Sequence, residues 1–139
     1  MIDRPKQKIT SEYGKRWNTF HKGVDLRCWT DDFKKRLSVI LPEGCILKRK
    51  VFQDQWGWTF VFTPLQSGRH ELKFTHMAGN DKLIDGEVYD KGHKIGYNML
   101  TRYMIEKKLG EHLHFESWIN QDETENPRLY YKEMGIEVE

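Results

Sequence analysis

Gly110-Glu111-His112-Leu113-His114-Phe115-Glu116-Ser117-Trp118 is the stretch whose reading decides the fold. His112, His114 and Glu116 recur every second residue, with Leu113 and Phe115 between them. Successive side chains of a β-strand point to opposite faces. Both imidazoles therefore share one face, about 7 Å apart along the chain, and the two apolar residues anchor the other face in a core. Two imidazoles on one face can bind one metal ion together, or one can bind while the other works beside it. For a lone His-x-His, a half-buried strand whose polar face happens to carry histidine is the plainer alternative.

Two further clusters change the balance. In His21-Lys-Gly-Val-Asp25 the i, i+4 spacing would put His21 and Asp25 on one face of a helix. Gly23 and the β-branched Val24 disfavour a helix, so a turn running into a strand is expected, with Asp25 at the strand start. Asp25 then either neutralises a metal's charge as a ligand or caps the turn and pairs with Lys22. In His70-Glu-Leu-Lys-Phe-Thr-His76 the alternation is expected to put His70, Leu72, Phe74 and His76 on one face. Four histidines and an aspartate exceed the needs of a structural metal site. Three N/O donors with a fourth position open are the arrangement of a catalytic zinc. The two remaining imidazoles, titrating near neutrality, suit proton transfer. The residues point to a metal-dependent hydrolase. No His-Glu-x-x-His occurs, so the helical glutamate base of the common zinc proteases is not available. Glu116 either orients a ligand imidazole or is a salt-bridged strand residue.

The rest of the chain reads as mostly β. Runs rich in β-branched and aromatic residues predict strands over Ser38–Leu41, Cys45–Gln53, Thr59–Thr63, Glu71–His76 and His112–Trp118, with Gly- or Pro-bearing turns between them. One short helix is expected over Asn98–Leu109, where Leu100, Tyr103 and Met104 fall at helical spacing and Gly110 offers a stop. Five Trp, six Tyr and seven Phe are many for one small core, so Trp17, Trp56 and Trp58 are candidates for lining a groove. At 139 residues the chain has the length of one domain, spanning 1–139. The net charge of +2 and a pI near 8.5 give a mild basic excess, spread rather than clustered. It suits approach to an anionic polymer and argues against nucleic-acid binding. No run of 18 apolar residues suggests membrane insertion, and the N-terminus lacks the apolar centre of a signal peptide. Cys28 and Cys45 are read as buried free thiols, a disulfide between them being the alternative.

A resemblance runs through nearly the whole sequence. Ile9-Thr-Ser-Glu-Tyr-Gly-Lys-Arg-Trp17 followed by His21-Lys-Gly-Val-Asp25-Leu resembles the opening of the lysostaphin-type zinc peptidases, which cut peptidoglycan peptides. Later signposts follow in that family's order. They are the hairpin region Val39–Cys45, Trp56-Gly57-Trp58-Thr-Phe-Val-Phe62, Phe74-Thr-His76-Met77, Val88-Tyr-Asp-Lys-Gly92-His-Lys-Ile95-Gly96, Gly110-Glu-His112-Leu-His114-Phe-Glu116, and Asn126-Pro127 with Tyr130. Two departures stand out: a polar insertion over Cys28–Arg36, and the helix near 98–109 where the family usually has a small-residue loop. Both are expected to reshape the groove rim.

The resemblance implies a compact antiparallel β-sheet core and a zinc ion held by His21, Asp25 and His114, with His76 and His112 as non-ligand catalytic residues. It implies a zinc-dependent endopeptidase acting on peptidoglycan stem or bridge peptides, with a non-catalytic zinc-binding or regulatory wall module as the alternative. A monomer is expected. So is a bacteriophage setting, an endolysin made in the cytoplasm and reaching the wall or periplasm after holin release, or a cutter carried in the virion.

Overall fold

The computed structural model describes residues 1–139. The chain runs β1 (Lys6–Gln7), β2 (Ile9–Ser11), β3 (Gly14–Arg16), β4 (Thr19–His21), β5 (Val24–Arg27), β6 (Val39–Ile40), β7 (Cys45–Gln53), β8 (Gly57–Pro64), β9 (Glu71–Met77), β10 (Val88–Tyr89) and β11 (Lys94–Gly96). It continues through α1 (Arg102–Lys107), β12 (His112–Trp118), β13 (Thr124–Glu125), α2 (Pro127–Met134) and β14 (Glu137–Val138). The main sheet is antiparallel, in the order β10-β7-β8-β9-β12-β5-β2, with β13 also paired to β12. Strands β3 and β4 form a separate hairpin, β11 pairs with β6, and β1 runs parallel to β14.

Alternation within the central strands divides the sheet into two faces. Val24 and Leu26 of β5, Leu72 and Phe74 of β9, and Leu113 and Phe115 of β12 are buried in one core. Helix α2 closes that core: Tyr131 stacks on Phe115 with ring centroids 5.5 Å apart, and Tyr130 lies 5.8 Å from the same ring. Truncating a ring packed like Phe115 to alanine typically costs about 3–5 kcal/mol. The Tyr130 hydroxyl donates to buried Glu43 at 2.6 Å, and the same carboxylate accepts from the Gln66 and Ser67 amides, so no charge is stranded inside. The intervening residues, Asp25, Lys73, Thr75, His114 and Glu116, line a cavity on the opposite face.

The five predicted strands are present, and two other expectations need correction. The helix does not begin at Asn98. The Asn98 side chain and the Met99 amide both donate to the His76 carbonyl, which pins these residues as an extended bridge against β9. Helix α1 starts only after Thr101, whose hydroxyl caps the Met104 amide, and ends at Lys108 in the left-handed conformation, not at Gly110. A second helix, α2, accompanies it, capped by Asn126, with Pro127 in its first turn and Gly135 (φ +70°) at its end. The two cysteines are buried free thiols, as read from the sequence. No helix is long and apolar enough to cross a membrane.

Candidate active site

His21 ends β4, a two-residue link carries the chain into β5, and Asp25 is the second residue of that strand. The link can be this tight because Gly23 sits against the Phe115 carbonyl of β12, where no side chain fits. Asp25 faces His114 across the β5–β12 ladder, and Arg27 faces His112. The sheet register therefore brings Asp25 and His114 together, and the two-residue link adds His21. Donor atoms of His21, Asp25 and His114 all lie within 4.8 Å of one another. His114 Nδ1 is 2.9 Å from Asp25 Oδ1, and His21 Nε2 is 3.2 Å from both that oxygen and His114 Nδ1.

His76 arrives by a different route and overturns the expected alternation. Trp58 pairs with Met77 and Phe60 with Phe74, so Thr75 and His76 of β9 face the single residue Thr59 of β8. This is a β-bulge, and His76 adopts φ +67° to make it. The bulge turns His76 off the core face of Leu72 and Phe74 and into the cavity with Thr75. A non-glycine residue in this region costs on the order of 1 kcal/mol, which the two bonds from Asn98 and Met99 to its carbonyl offset. His70 precedes β9 and takes no part.

Each of the four imidazoles is fixed through one nitrogen. Backbone carbonyls only accept, so Nδ1–H of His21 donates to Glu12 O at 2.8 Å, of His76 to Trp56 O at 2.9 Å, and of His112 to Gly110 O at 2.9 Å. Nε2–H of His114 donates to Glu116 at 2.8 Å, while the other Glu116 oxygen accepts from the Trp118 indole at 2.8 Å. Glu116 thus orients the His114 ring and is ion-paired with it, so the two alternatives open to it meet in one contact. With both rings neutral, these bonds leave His21 Nε2 and His114 Nδ1 as lone pairs facing the Asp25 carboxylate. Such a set repels itself unless a cation lies between its members, and two neutral imidazoles with one carboxylate are donors that suit zinc. The residues present fit the metal.

In the metal-free protein a proton held among these groups takes the cation's place. Burial would raise the Asp25 carboxyl, but hydrogen bonds from His114 and His21 hold it well below the usual carboxylate range. Burial pushes His76 down to about 4. For His114, burial is outweighed by its bonds to Asp25 and Glu116, which raise it to about 9 in the metal-free protein. His76 and His112 stand edge to face, ring centroids 4.9 Å apart, and His112 Nε2 lies 3.7 Å from Asp25 Oδ2. The cavity over these groups holds about 450 Å³, walled by Trp56 and Tyr103 on one side and by Arg16, Phe20 and Lys22 on the other. Of the candidate groove tryptophans, Trp56 lines the cavity, Trp58 packs against the core and Trp17 is fully exposed at the β3–β4 tip. Sequence reasoning passed over Tyr103 and Arg16 as cavity residues. Tyr103 is placed by its amide bond to Gln55 O, a contact that no local pattern announces.

No protein-family model matches the sequence, and no curated protein matches it. Solved structures do. The chain is similar to the catalytic domain of the antimicrobial peptidase lysostaphin from Staphylococcus simulans, with 19% identity and a TM-score of 0.63 over 89% of each chain. It is similar to LytU at 17% identity and a TM-score of 0.67, over 94% of this chain and 88% of that one. It is also similar to a chain of the SpoIIIAH–SpoIIQ complex at 15% identity and a TM-score of 0.65, over 94% and 99%. At this level of identity the likeness defines an architecture: the mostly β, antiparallel fold of the lysostaphin-type peptidase domain.

Proposed function

We propose that this protein is a zinc-dependent endopeptidase that hydrolyses peptide cross-links or bridges of bacterial peptidoglycan. One observation carries the reading. His21, Asp25 and His114 bring three N/O donor atoms within 4.8 Å of one another, and two further imidazoles stand beside them in the same cavity. The likeness to the lysostaphin catalytic domain supports peptidoglycan peptides as the substrate class, and the mild basic excess of the chain suits an anionic wall.

His21, Asp25 and His114 would hold the metal. A zinc ion there supplies Lewis acidity, lowering the pKa of a water towards about 7 and polarising a carbonyl oxygen. His76, kept neutral by burial, accepts a proton at Nε2 from the attacking water, its ring held by Trp56 O. That proton passes to the departing amine by way of His112, whose ring lies 4.9 Å from His76 and whose Nε2 is 3.7 Å from Asp25 Oδ2. Trp56 and Tyr103, with centroids 4.5 Å apart, form an apolar wall that limits water around the reacting atoms.

Incubation of the zinc-loaded protein with purified peptidoglycan tests the proposal. New free amines without new reducing sugars are expected, abolished by a chelator and restored by zinc. Reducing sugars would identify a glycan hydrolase instead. Zinc retention with no amine release would favour the non-catalytic wall module, a reading to which the likeness to a chain of a two-protein complex lends weight. The function extends to phage-mediated lysis: in a host bacterium, co-expression with a holin is expected to clear the culture, and neither gene alone is.

A further inference from the structure

The cavity over the histidines does not end at His112. Arg16, Asp25, Leu109 and His112 also border a second cavity of about 570 Å³, so the two form one continuous groove. The walls of this extension come largely from, or directly beside, the two segments where the sequence departs from the lysostaphin-type pattern. The Cys28–Arg36 insertion contributes Trp29 and Phe33, and the turn after α1 contributes Leu109, Gly110 and Glu111.

The floor is basic. The Arg27 amide bonds to the Lys8 carbonyl, placing Lys8 of the β1–β2 link beside Arg27, while Arg27 stands opposite His112 in the ladder. Lys8, Arg27 and His112 thus form a row across the sheet, parallel to the row through Asp25 and His114. Two residues of strand separate the rows, about 7 Å. The Arg27 guanidinium lies 3.9 Å over the Phe33 ring and is steadied by the Thr30 and Asp31 carbonyls at 2.9 and 3.0 Å, while its buried Nε has no partner. Neither Lys8 nor Arg27 has a carboxylate partner. Of the two acidic residues bordering it, Asp25 faces the histidines and Glu111 is held by Arg36 at 2.6 Å.

Resting on the endopeptidase reading, we propose that Lys8 and Arg27 form a carboxylate-binding subsite. An extended peptide advances about 3.3–3.6 Å per residue, so the recognised carboxylate lies about two residues from the scissile bond. The substrate is then a peptide bearing a free carboxylate there, as a stem peptide with an acidic diamino acid does and an uncharged glycyl bridge does not.

The test uses the zinc-loaded full chain and two synthetic cross-linked stem peptides, identical except that one carries free carboxylates and the other carboxamides. Wild type is expected to favour the acid form by about tenfold in kcat/KM, the scale of one charge-assisted hydrogen bond. Lys8→Gln with Arg27→Gln should bring that ratio close to unity, and Arg27→Lys should preserve most of it. Lys8→Gln alone, at a half-exposed site, gives a partial loss in a protein whose fold is undisturbed. Equal cleavage of both peptides by wild type, or an unchanged ratio in the double variant, overturns the subsite. Calorimetric binding of the same pair separates the two proposals. Selective binding of the acid form with no cleavage of either peptide would keep the subsite and refute the endopeptidase.

Discussion

Gly23→Ala is the smallest change that should disable the site without touching a functional group. A Cβ at Gly23 would lie 2.2 Å from the Phe115 carbonyl oxygen, 3.0 Å from Glu116 Cγ and 3.0 Å from His114 Cε1. An ordinary carbon–oxygen contact is about 3.3 Å, so the His21–Asp25 link and β12 must part by about 1 Å. The oxygen belongs to a strand paired on both sides, to β5 and β9, and cannot rotate away as a side-chain tip would. Overpacking of this kind costs about 1–3 kcal/mol. The displacement falls between the two proposed ligands His21 and Asp25 and against the third, so zinc affinity should drop by about 10–100-fold, the range seen when metal ligands lose their positioning. Urea unfolding of the metal-free variant measures the first quantity, and competition with a chromophoric chelator the second. A Gly23→Ala variant with an unchanged unfolding midpoint and unchanged zinc affinity would refute the packing argument. Loss of stability with full zinc affinity would show that the donors are not held by this contact.

His76→Ala and His112→Ala should keep bound zinc and lose about 10²–10⁴-fold in turnover; metal content with peptidase rates checks this, and a loss below tenfold in both would remove them from the chemistry. Glu116→Gln keeps an acceptor but not a charge behind His114, so zinc should bind about tenfold or more weakly, read in the same chelator competition. Tyr130→Phe strips one partner from buried Glu43 and should lower stability by about 1–3 kcal/mol with no change in zinc binding, measured by urea unfolding. Burial lowers His76 to about 4, so the unfolded chain takes up its proton first. The metal-free protein should therefore lose about 2–3 kcal/mol from this group as pH falls from about 6.5 to 4. Unfolding curves for wild type and His76→Ala at both pH values should differ in slope, and parallel behaviour would refute the assignment.

What is legible in the sequence is legible through local period. His112, Leu113, His114, Phe115 and Glu116 alternate, and the structure places them on alternate faces as a strand requires. Gly23 and Val24 disfavour a helix and so put Asp25 at a strand start, which is where it lies. His76 shows where local pattern fails. Its sequence fits the core face, but a bulge held by Asn98, 22 residues on, reverses it. The same long-range bonds shorten α1 by holding Asn98 and Met99 extended. Helix α2 is legible in principle, since Asn126, Pro127 and Gly135 form a cap, a first-turn proline and a stop, but it spans only eight residues and buries two tyrosines rather than aliphatics. For the second half of the groove, the sequence marks the two segments that reshape the rim but not which of their residues line it, because those are set by whom they meet.

That division of labour has an engineering meaning. The donors and proton carriers are bolted to β-ladders, whereas Phe33, Trp29, Tyr103 and Leu109 hang from connections that the ladders do not need. Such a molecule can be diversified like an antibody domain, by randomising residues 29–35 and 102–109 as cassettes while Asn98 and Met99, which hold the His76 bulge, and Gly110, which holds His112, are kept. Libraries built there would search for new peptide targets while the reactive centre is inherited intact.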